Sequence, residues 1–291
     1  MKTKTGRIKG ELTVRIVTYI ILVILSVIFL FPFYTMITKS LMTTSEYWSP
    51  ELTLVPKTFR IENYKDIFIN CGVNESGVSY LLVYLFNTLK ICVLGAVGLI
   101  ISASLCAYGF TKINFPGRDL VFTIVLGTTM IPSSIMIIPL YSLYSKFGWI
   151  NTHYPMWAGL WFGGGAINIF LVMQYMRGLP KELNECASID GANVFRQYLQ
   201  IVLPNCKPIL AVISIGAIVG PWNDIQTPLM YIDEQEMYTL ALGISQMRLN
   251  NEISMPSLLA ACVLMTSVPL VAFVFNQRFF VESVVTSGIK G

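Results

Sequence analysis

Charge is what this sequence has least of. Only 12% of its 291 residues are Asp, Glu, Lys or Arg, while 54% are hydrophobic and there is a single histidine. A water-soluble domain carries about a quarter charged residues, so the composition excludes an ordinary soluble globule and predicts a membrane protein. The net charge of +4 is too small to argue for a nucleic-acid partner and has to be read by position. Six cysteines show no metal-ligating or disulfide spacing. Cys71 stands alone in a polar stretch, Cys92, Cys106 and Cys262 lie in apolar runs, and Cys186 and Cys206 lie in or near a second polar stretch. The lone His153 reads as a polar residue of a short loop. Also missing are a phosphate-binding Gly-x-x-x-x-Gly-Lys, a zinc-protease His pair and a nucleophile elbow. The chain is therefore expected to be no enzyme, to hold no cofactor or metal, and to take any energy for its work from a partner.

What is present is a series of long apolar runs. They predict an all-α, polytopic membrane fold with six transmembrane helices at about 16–37, 91–110, 120–140, 156–176, 209–232 and 256–275. Residues 1–15 form a basic N-terminal segment and 276–291 a tail. The first run is about 33 Å long as a helix and is too long for a signal-peptide core, so it is expected to stay as an anchor. Pro32 within it is tolerable in a membrane helix. Pro132 and Pro139 are expected to bend the third span. Gly163-Gly164-Gly165 permits close packing or a local break in the fourth. Ser40 to Phe86, Tyr141 to Tyr154 and the acidic stretch Asp233 to Ser254 are expected on one side of the membrane, with Tyr80 to Phe86 at its interface.

Basic residues set the orientation. Lys2, Lys4, Arg7, Lys9, Arg15, Lys112, Arg118, Arg177, Lys181, Arg196, Lys207, Arg278 and Lys290, 13 of 20, fall on the side of both termini. Lys39, Lys57, Arg60, Lys65, Lys90, Lys146 and Arg248, the other 7, fall opposite. An excess of Lys and Arg marks the cytoplasmic side, so both termini are expected in the cytoplasm of a bacterial-type plasma membrane.

The longest polar interruption of the second half is 177–208, RGLPKELNECASIDGANVFRQYLQIVLPNCKP. Pro180 suits the start of a helix. Lys181 to Ile189 reads as one short helix, stopped by Gly191, which tolerates a left-handed cap. Asn193 can cap a second helix that is expected to end before Pro204. On it, Phe195, Tyr198, Leu199 and Val202 share one face at helical spacing. The small Ala187, Gly191 and Ala192 leave the elbow slim enough for another surface to approach.

Glu185-x-Ala187-x-x-Asp190-Gly191, followed by Ile201-x-Leu203-Pro204 and Pro208, resembles the cytoplasmic coupling loop of the membrane subunits of ATP-binding-cassette importers. The fuller pattern is similar to the maltose-type carbohydrate permeases. Cys186 departs from it, standing where the family usually has the first alanine of Glu-Ala-Ala; a small buried-type residue preserves the packing. Further matches are SLMTTSEYW…LVPKTFRIENYKDIF in the first polar loop, WNDIQTPLMYI at the end of the fifth run, and the tail QRFFVESVVTSGIKG. In the tail, Ser283 and Ser287 replace glycines common in the family. Together the resemblances run from about Ser40 to Gly291.

The resemblance implies a permease subunit forming half of a translocation pathway for a carbohydrate or oligosaccharide. It implies a second homologous permease, two cytoplasmic ATPase subunits, and an extracytoplasmic solute-binding lipoprotein or periplasmic protein. Glu185, Cys186, Ala187, Asp190, Gly191, Phe195, Leu203 and Pro204 would couple to the ATPase. Gly288, Lys290 and Gly291 would reach it from the tail. Residue chemistry supplies the substrate-pathway candidates. Asp224, an ionisable group near a membrane span, marks a functional site or a hydrated outer interface. Trp161, Asn168, Trp222, Asn223 and Gln226, with Phe162 and Gln174, offer the aromatic faces and amides that recognise sugars. An importer for amino acids, polyamines or phosphate is the nearer alternative. A secondary transporter would show internal repeats with broken helices, and no clear repeat is visible.

Overall fold

The computed structural model describes residues 3–51, 53–180, 182–249 and 253–288, the side chains of 3–13, 272 and 275–288 excepted. Among the described residues every regular element is helical, with one isolated antiparallel bridge between Val73 and Ser79. The chain divides into two units, Met1–Asn70 with Asn250–Thr266, and Cys71–Leu249 with Ser267–Gly291.

The first unit begins with α1, Thr3–Ser40. Its stretch Val14–Ser40 has a mean hydropathy of 2.8, and from Ile16 to Phe31 large apolar side chains are exposed on every side. A helix that is apolar all round belongs in lipid or among other helices. Pro32 lies inside it without ending it. Thr43 then caps the one-turn α2, Thr44–Tyr47, by accepting from the Glu46 N–H at 3.2 Å. The chain returns through α3, Glu62–Asn70. Buried Asn63 donates from Nδ2 to the Ser40 and Met42 carbonyls, each at 2.8 Å, and the Tyr64 and Ser40 hydroxyls share a 2.8 Å bond. These bonds satisfy carbonyls that the end of α1 would leave orphaned.

The second unit is built around α4, Tyr80–Lys112. It starts eleven residues before the expected Ile91, so Tyr80 to Phe86 forms the first part of the long helix. The buried face of α4 is rich in small residues, Gly95, Ala96, Gly98, Ala103 and Ala107. A Cβ at Gly98 would run into the Trp161 ring, which shows how closely the neighbouring chain approaches.

The third run is not a single rod. It divides into α5, Arg118–Gly127, extended by a 3₁₀ turn at Thr128–Met130, and α6, Ser133–Lys146, with a bend of 100° at the break between Met130 and Ser133. Pro132 is the cause: it drives Ile131 into an extended conformation and ends the preceding turn. Pro139, also expected to bend the span, lies inside α6 without ending it. The fourth run breaks as its glycines allow. The one-turn α7, Tyr154–Trp157, leads through a 3₁₀ turn at Ala158–Trp161 to Gly163, Gly164 and Gly165, with φ of +87°, +64° and +90°. Only glycine takes three such values in succession without strain. The run then continues as α8, Ala166–Arg177.

Next come α9, Glu182–Ile189, α10, Val194–Gln197, a π turn at Tyr198–Val202 and α11, Leu203–Asn205. The fifth run is α12, Lys207–Asn223, broken at Asp224 and resumed as α13, Gln226–Tyr231. The acidic stretch expected as loop contains the well-packed α14, Leu240–Leu249, with Leu240, Leu242, Ile244 and Met247 buried. Finally α15 runs from Met255 to Gly288 through Pro269, so the expected sixth span and tail are one continuous helix over the described residues.

Leu99, Ala103, Val172, Met176, Ile213 and Ala217 form the centre of a core shared by α4, α8 and α12. Three helical stretches are long and apolar enough to cross a membrane, Val14–Ser40, Tyr80–Lys112 and Tyr154–Arg177. Counting each bent pair as one raises this to five, and Met255–Val271 is a shorter apolar helix.

Candidate functional site

Two regions carry polar groups in organised settings: the α9–α11 elbow, and the cavity at the break between α12 and α13.

In the elbow, α9 closes through Asp190 and Gly191, whose N–H groups donate to the Cys186 and Ser188 carbonyls at 3.0 and 3.1 Å. Gly191 has φ of +76°, the left-handed cap that reverses the chain. Asn193 caps α10 by accepting from the Arg196 N–H at 2.8 Å. Gln197 then staples the two helices, donating from Nε2 to the Ser188 hydroxyl at 3.0 Å and the Ala192 carbonyl at 2.9 Å. The face expected from spacing divides in two. Tyr198 and Val202 are buried, whereas Phe195 is 62% exposed and Leu199 is exposed beside it. The four residues span an arc of about 100°, and its edge lies on the boundary between core and surface. Tyr198 shares a 2.8 Å bond with the Ser104 hydroxyl, and Tyr108 donates to the Val194 carbonyl at 3.1 Å, so two tyrosines bolt the elbow to α4. Burial holds the Tyr198 phenol above its ordinary pKa, so it stays a neutral hydrogen-bonding group.

The outer surface of the elbow carries Glu185, Cys186, Asp190, Val194 and Phe195, with Ile189 86% exposed. Ala187 is buried, Leu203 half-buried and Pro204 exposed. The second helix does not stop before Pro204 but passes through it to Asn205. The π turn accommodates this by shifting the hydrogen-bond ladder, so no intrahelical donor is required of the proline. Gly288 ends α15, while Lys290 and Gly291 lie outside the described residues.

The second region is a cavity of about 540 Å³ lined by Leu99, Leu160, Asn168, Ile213, Gly216, Gly220 and Asp224, among others. Gly216 and Gly220 leave one face of α12 bare where it borders this space. Asp224 also lines a smaller cavity of about 120 Å³ with Ile91, Thr227 and Thr239. Its Oδ1 accepts from the Thr227 N–H at 3.1 Å, which fixes the start of α13. Asn168 donates from Nδ2 to the Gly164 carbonyl at 2.6 Å and keeps its amide oxygen available. Of the expected pathway residues, then, Asp224 and Asn168 meet at one cavity, and Gln226 lines a separate one.

Three others do not converge there. Trp222 is 1% exposed and belongs to the core. Asn223 is exposed and donates to its own helix, to the Val219 carbonyl at 2.9 Å. Trp161, 39% exposed, donates from Nε1 to the Leu94 carbonyl at 3.0 Å and packs on Gly98, anchoring the fourth run to α4. A carboxylate and an amide on one cavity can accept and donate hydrogen bonds to a hydroxylated molecule.

Sequence reasoning missed a latch that joins the first part of α4 and the loop after α6 to the stretch 233–240. Asn87 donates from Nδ2 to the Glu236 and Tyr238 carbonyls at 2.8 and 3.0 Å, and the Thr88 hydroxyl accepts from the Leu240 N–H at 2.8 Å. Asn151, held at φ of +58°, accepts from the Asp233 and Glu234 N–H groups at 3.3 and 3.1 Å. His153 is 7% exposed and bonds the Met237 carbonyl at 2.9 Å. Burial lowers its pKa; the bond to Met237 works against that, and Lys90 adds to it. The only sequence signal was the isolated histidine itself.

The family described as "Binding-protein-dependent transport system inner membrane component" matches residues 78–285. Among curated relatives, the galactooligosaccharides transport system permease protein GanQ of Bacillus subtilis is 30% identical over 284 residues, covering 94% of this chain and 95% of the relative. The arabinooligosaccharides transport system permease protein AraQ of the same species is 28% identical over 279 residues, covering 95% and 96%. The maltose/maltodextrin transport system permease protein MalG of Escherichia coli is 28% identical over 220 residues, covering 72% and 73%. A chain in the crystal structure of a bacterial transporter that imports the acidic polysaccharide alginate shares the fold, with a TM-score of 0.75 at 21% identity, covering 96% of this chain and 99% of that one. The match runs over most of the chain, from just before α4 to near the end of α15, and this protein belongs to the family of binding-protein-dependent transport system inner membrane components.

Proposed function

We propose that the chain is one of two homologous permease subunits in an ATP-driven importer of oligosaccharides. The observation that carries this reading is the elbow, an exposed and partly apolar surface bolted through Tyr198 and Tyr108 to the helix at the centre of the core. Two cytoplasmic ATPase subunits would grip it at Glu185, Cys186, Asp190, Gly191 and Phe195, with the chain's C-terminal Gly288, Lys290 and Gly291 reaching the same partner. Closure of the ATPases on ATP would draw the two elbows together. Because the elbow is tied to α4, and α4 packs on α8 and α12, the motion would pass as a rigid-body rotation to the helices around the Asp224 cavity. Six spans, both termini in the cytoplasm, and delivery of substrate by an extracytoplasmic binding protein complete the reading. The substrate class rests on the relatives, whose names give galacto-, arabino- and maltodextrin-type sugars.

The test is reconstitution in vesicles with the second permease, the ATPases and the binding protein. Oligosaccharide uptake is expected only with all components and ATP. Uptake by the isolated chain without ATP would overturn the importer reading.

A further inference from the structure

Beside the Asp224 cavities lies a third space of about 410 Å³, within the roughly 300–1,000 Å³ typical of small-molecule sites. Its polar lining comes from two places the sequence keeps far apart. Ser133 and Ser134 open α6, directly after the proline that breaks the third run, and Gln226 and Thr227 open α13, directly after the break at Asp224. The remaining wall is aliphatic, proline or aromatic, the aromatic part being Tyr144 and Tyr231. These rings are held in place, with centroids 5.4 Å apart at 68°, and Tyr144 stacks on Trp149 at 5.4 Å. None of the lining residues is charged. Thr227, at its edge, donates its N–H to the Asp224 carboxylate at 3.1 Å, so a negative group adjoins the space.

We propose that this cavity is a sugar subsite that seats one uncharged ring of the transported oligosaccharide and disfavours rings bearing a carboxylate. The proposal rests on the carbohydrate reading above. Tyrosine rings offer apolar surface to the C–H faces of a sugar. Two serine hydroxyls, a threonine hydroxyl and one primary amide both donate and accept, which matches sugar hydroxyls of either polarity. A uronate ring would bring a charge into a space whose lining offers no cation to pair with it and whose edge adjoins Asp224, so its carboxylate would lose water without gaining an ion pair. A phosphate or amino-acid carboxylate meets the same obstacle. The chain shares its fold with a subunit of an alginate importer, yet this lining suits a neutral substrate.

The experiment uses the complete importer in vesicles, with binding protein in excess. Uptake of maltotriose, galactotriose and arabinotriose is compared with that of trigalacturonate, glutamate and phosphate. The sugar carried by wild type is then used for two site measurements. Gln226→Leu is expected to lower its uptake about tenfold, the scale of one unpaired polar contact. Ser134→Cys, in a Cys186→Ser background, is expected to react with a membrane-impermeant methanethiosulfonate about fivefold more slowly when that sugar is present, and at an unchanged rate with trigalacturonate; such a change corresponds to about 1 kcal/mol. Normal uptake by Gln226→Leu together with unprotected Ser134→Cys would overturn the subsite while leaving the carbohydrate function standing. Efficient uptake of trigalacturonate would overturn the charge selection. Uptake of glutamate or phosphate with no sugar at all would overturn the underlying function and this proposal with it.

Discussion

His153 is the chain's single histidine, and its setting gives it a pH signature. Burial disfavours the charged imidazolium, so its folded pKa lies below the ordinary value of about 6.5. At neutral pH both states hold the ring neutral and the fold keeps the bond to the Met237 carbonyl. As pH falls below about 6.5, the unfolded chain takes up a proton that the folded chain excludes. Stability therefore declines until pH passes the folded value. No other side chain has an unperturbed pKa in that window. The unfolding temperature in detergent is expected to drop between pH 7.5 and 5.5, and His153→Gln, which retains a donor for Met237, should flatten that slope. An equal slope in the variant would assign it to other groups. A residue that the sequence reads as the polar side chain of a short loop is thus part of a latch, and nothing in the chain before it reveals that Met237 will come to meet it.

At the scale of elements, Gly191 decides where the elbow points. A β-branched residue at φ of +76° costs about 1–3 kcal/mol of strain. No atom lies within 4 Å of where its Cβ would be, so the effect is conformational and not a clash. Gly191→Val is expected to leave membrane insertion intact but to reduce ATPase co-purification or substrate-stimulated hydrolysis at least severalfold, and Glu185→Lys to do the same by reversing a surface charge. Wild-type stimulation in both variants would remove the elbow from the coupling role. The helices that position this element were readable because the apolar runs are long, and Gly191 and Asn193 announce their own caps. The breaks were readable only in part. Pro132 and the three glycines signalled theirs. Asp224 was legible only as a functional site or a hydrated interface, and the break it makes in the expected span 209–232 was missed, since one carboxylate near an apolar run does not announce a change of backbone direction. The burial of Trp222, and the use of Trp161 as an anchor on α4, depend on which face meets α4. A helix with apolar residues on every side does not encode that face in its period.

For the whole molecule, sidedness is the property most open to direct measurement. Among the described residues Cys186 is the exposed cysteine, on the elbow surface, while Cys71, Cys92 and Cys206 are buried. A membrane-impermeant maleimide is expected to label Cys186 in inside-out vesicles and to leave it unlabelled in right-side-out vesicles. Added ATPase subunits should protect it. Labelling from the outside would invert the topology drawn from the lysines and arginines, and labelling unaffected by the ATPases would detach the elbow from them. This expected orientation rests on the distribution of charge and not on the fold, because positive residues report on membrane insertion and not on packing.

The π turn at Tyr198–Val202 carries a consequence for how the elbow can vary. It holds one residue more than an α turn would need over the same stretch, with Tyr198 and Val202 on the core side and Phe195 and Leu199 outside. Deleting one position between 198 and 202 would let the wide turn close to regular α winding, which covers nearly the same angle with one residue fewer, so Phe195 and the Tyr108 bond to Val194 would keep their direction. A deletion at 203–205 has no such slack and would turn Phe195 by about 100° relative to α12. The elbow can therefore absorb the loss of a residue inside the turn but not beside it, and the turn works as a store of spare length.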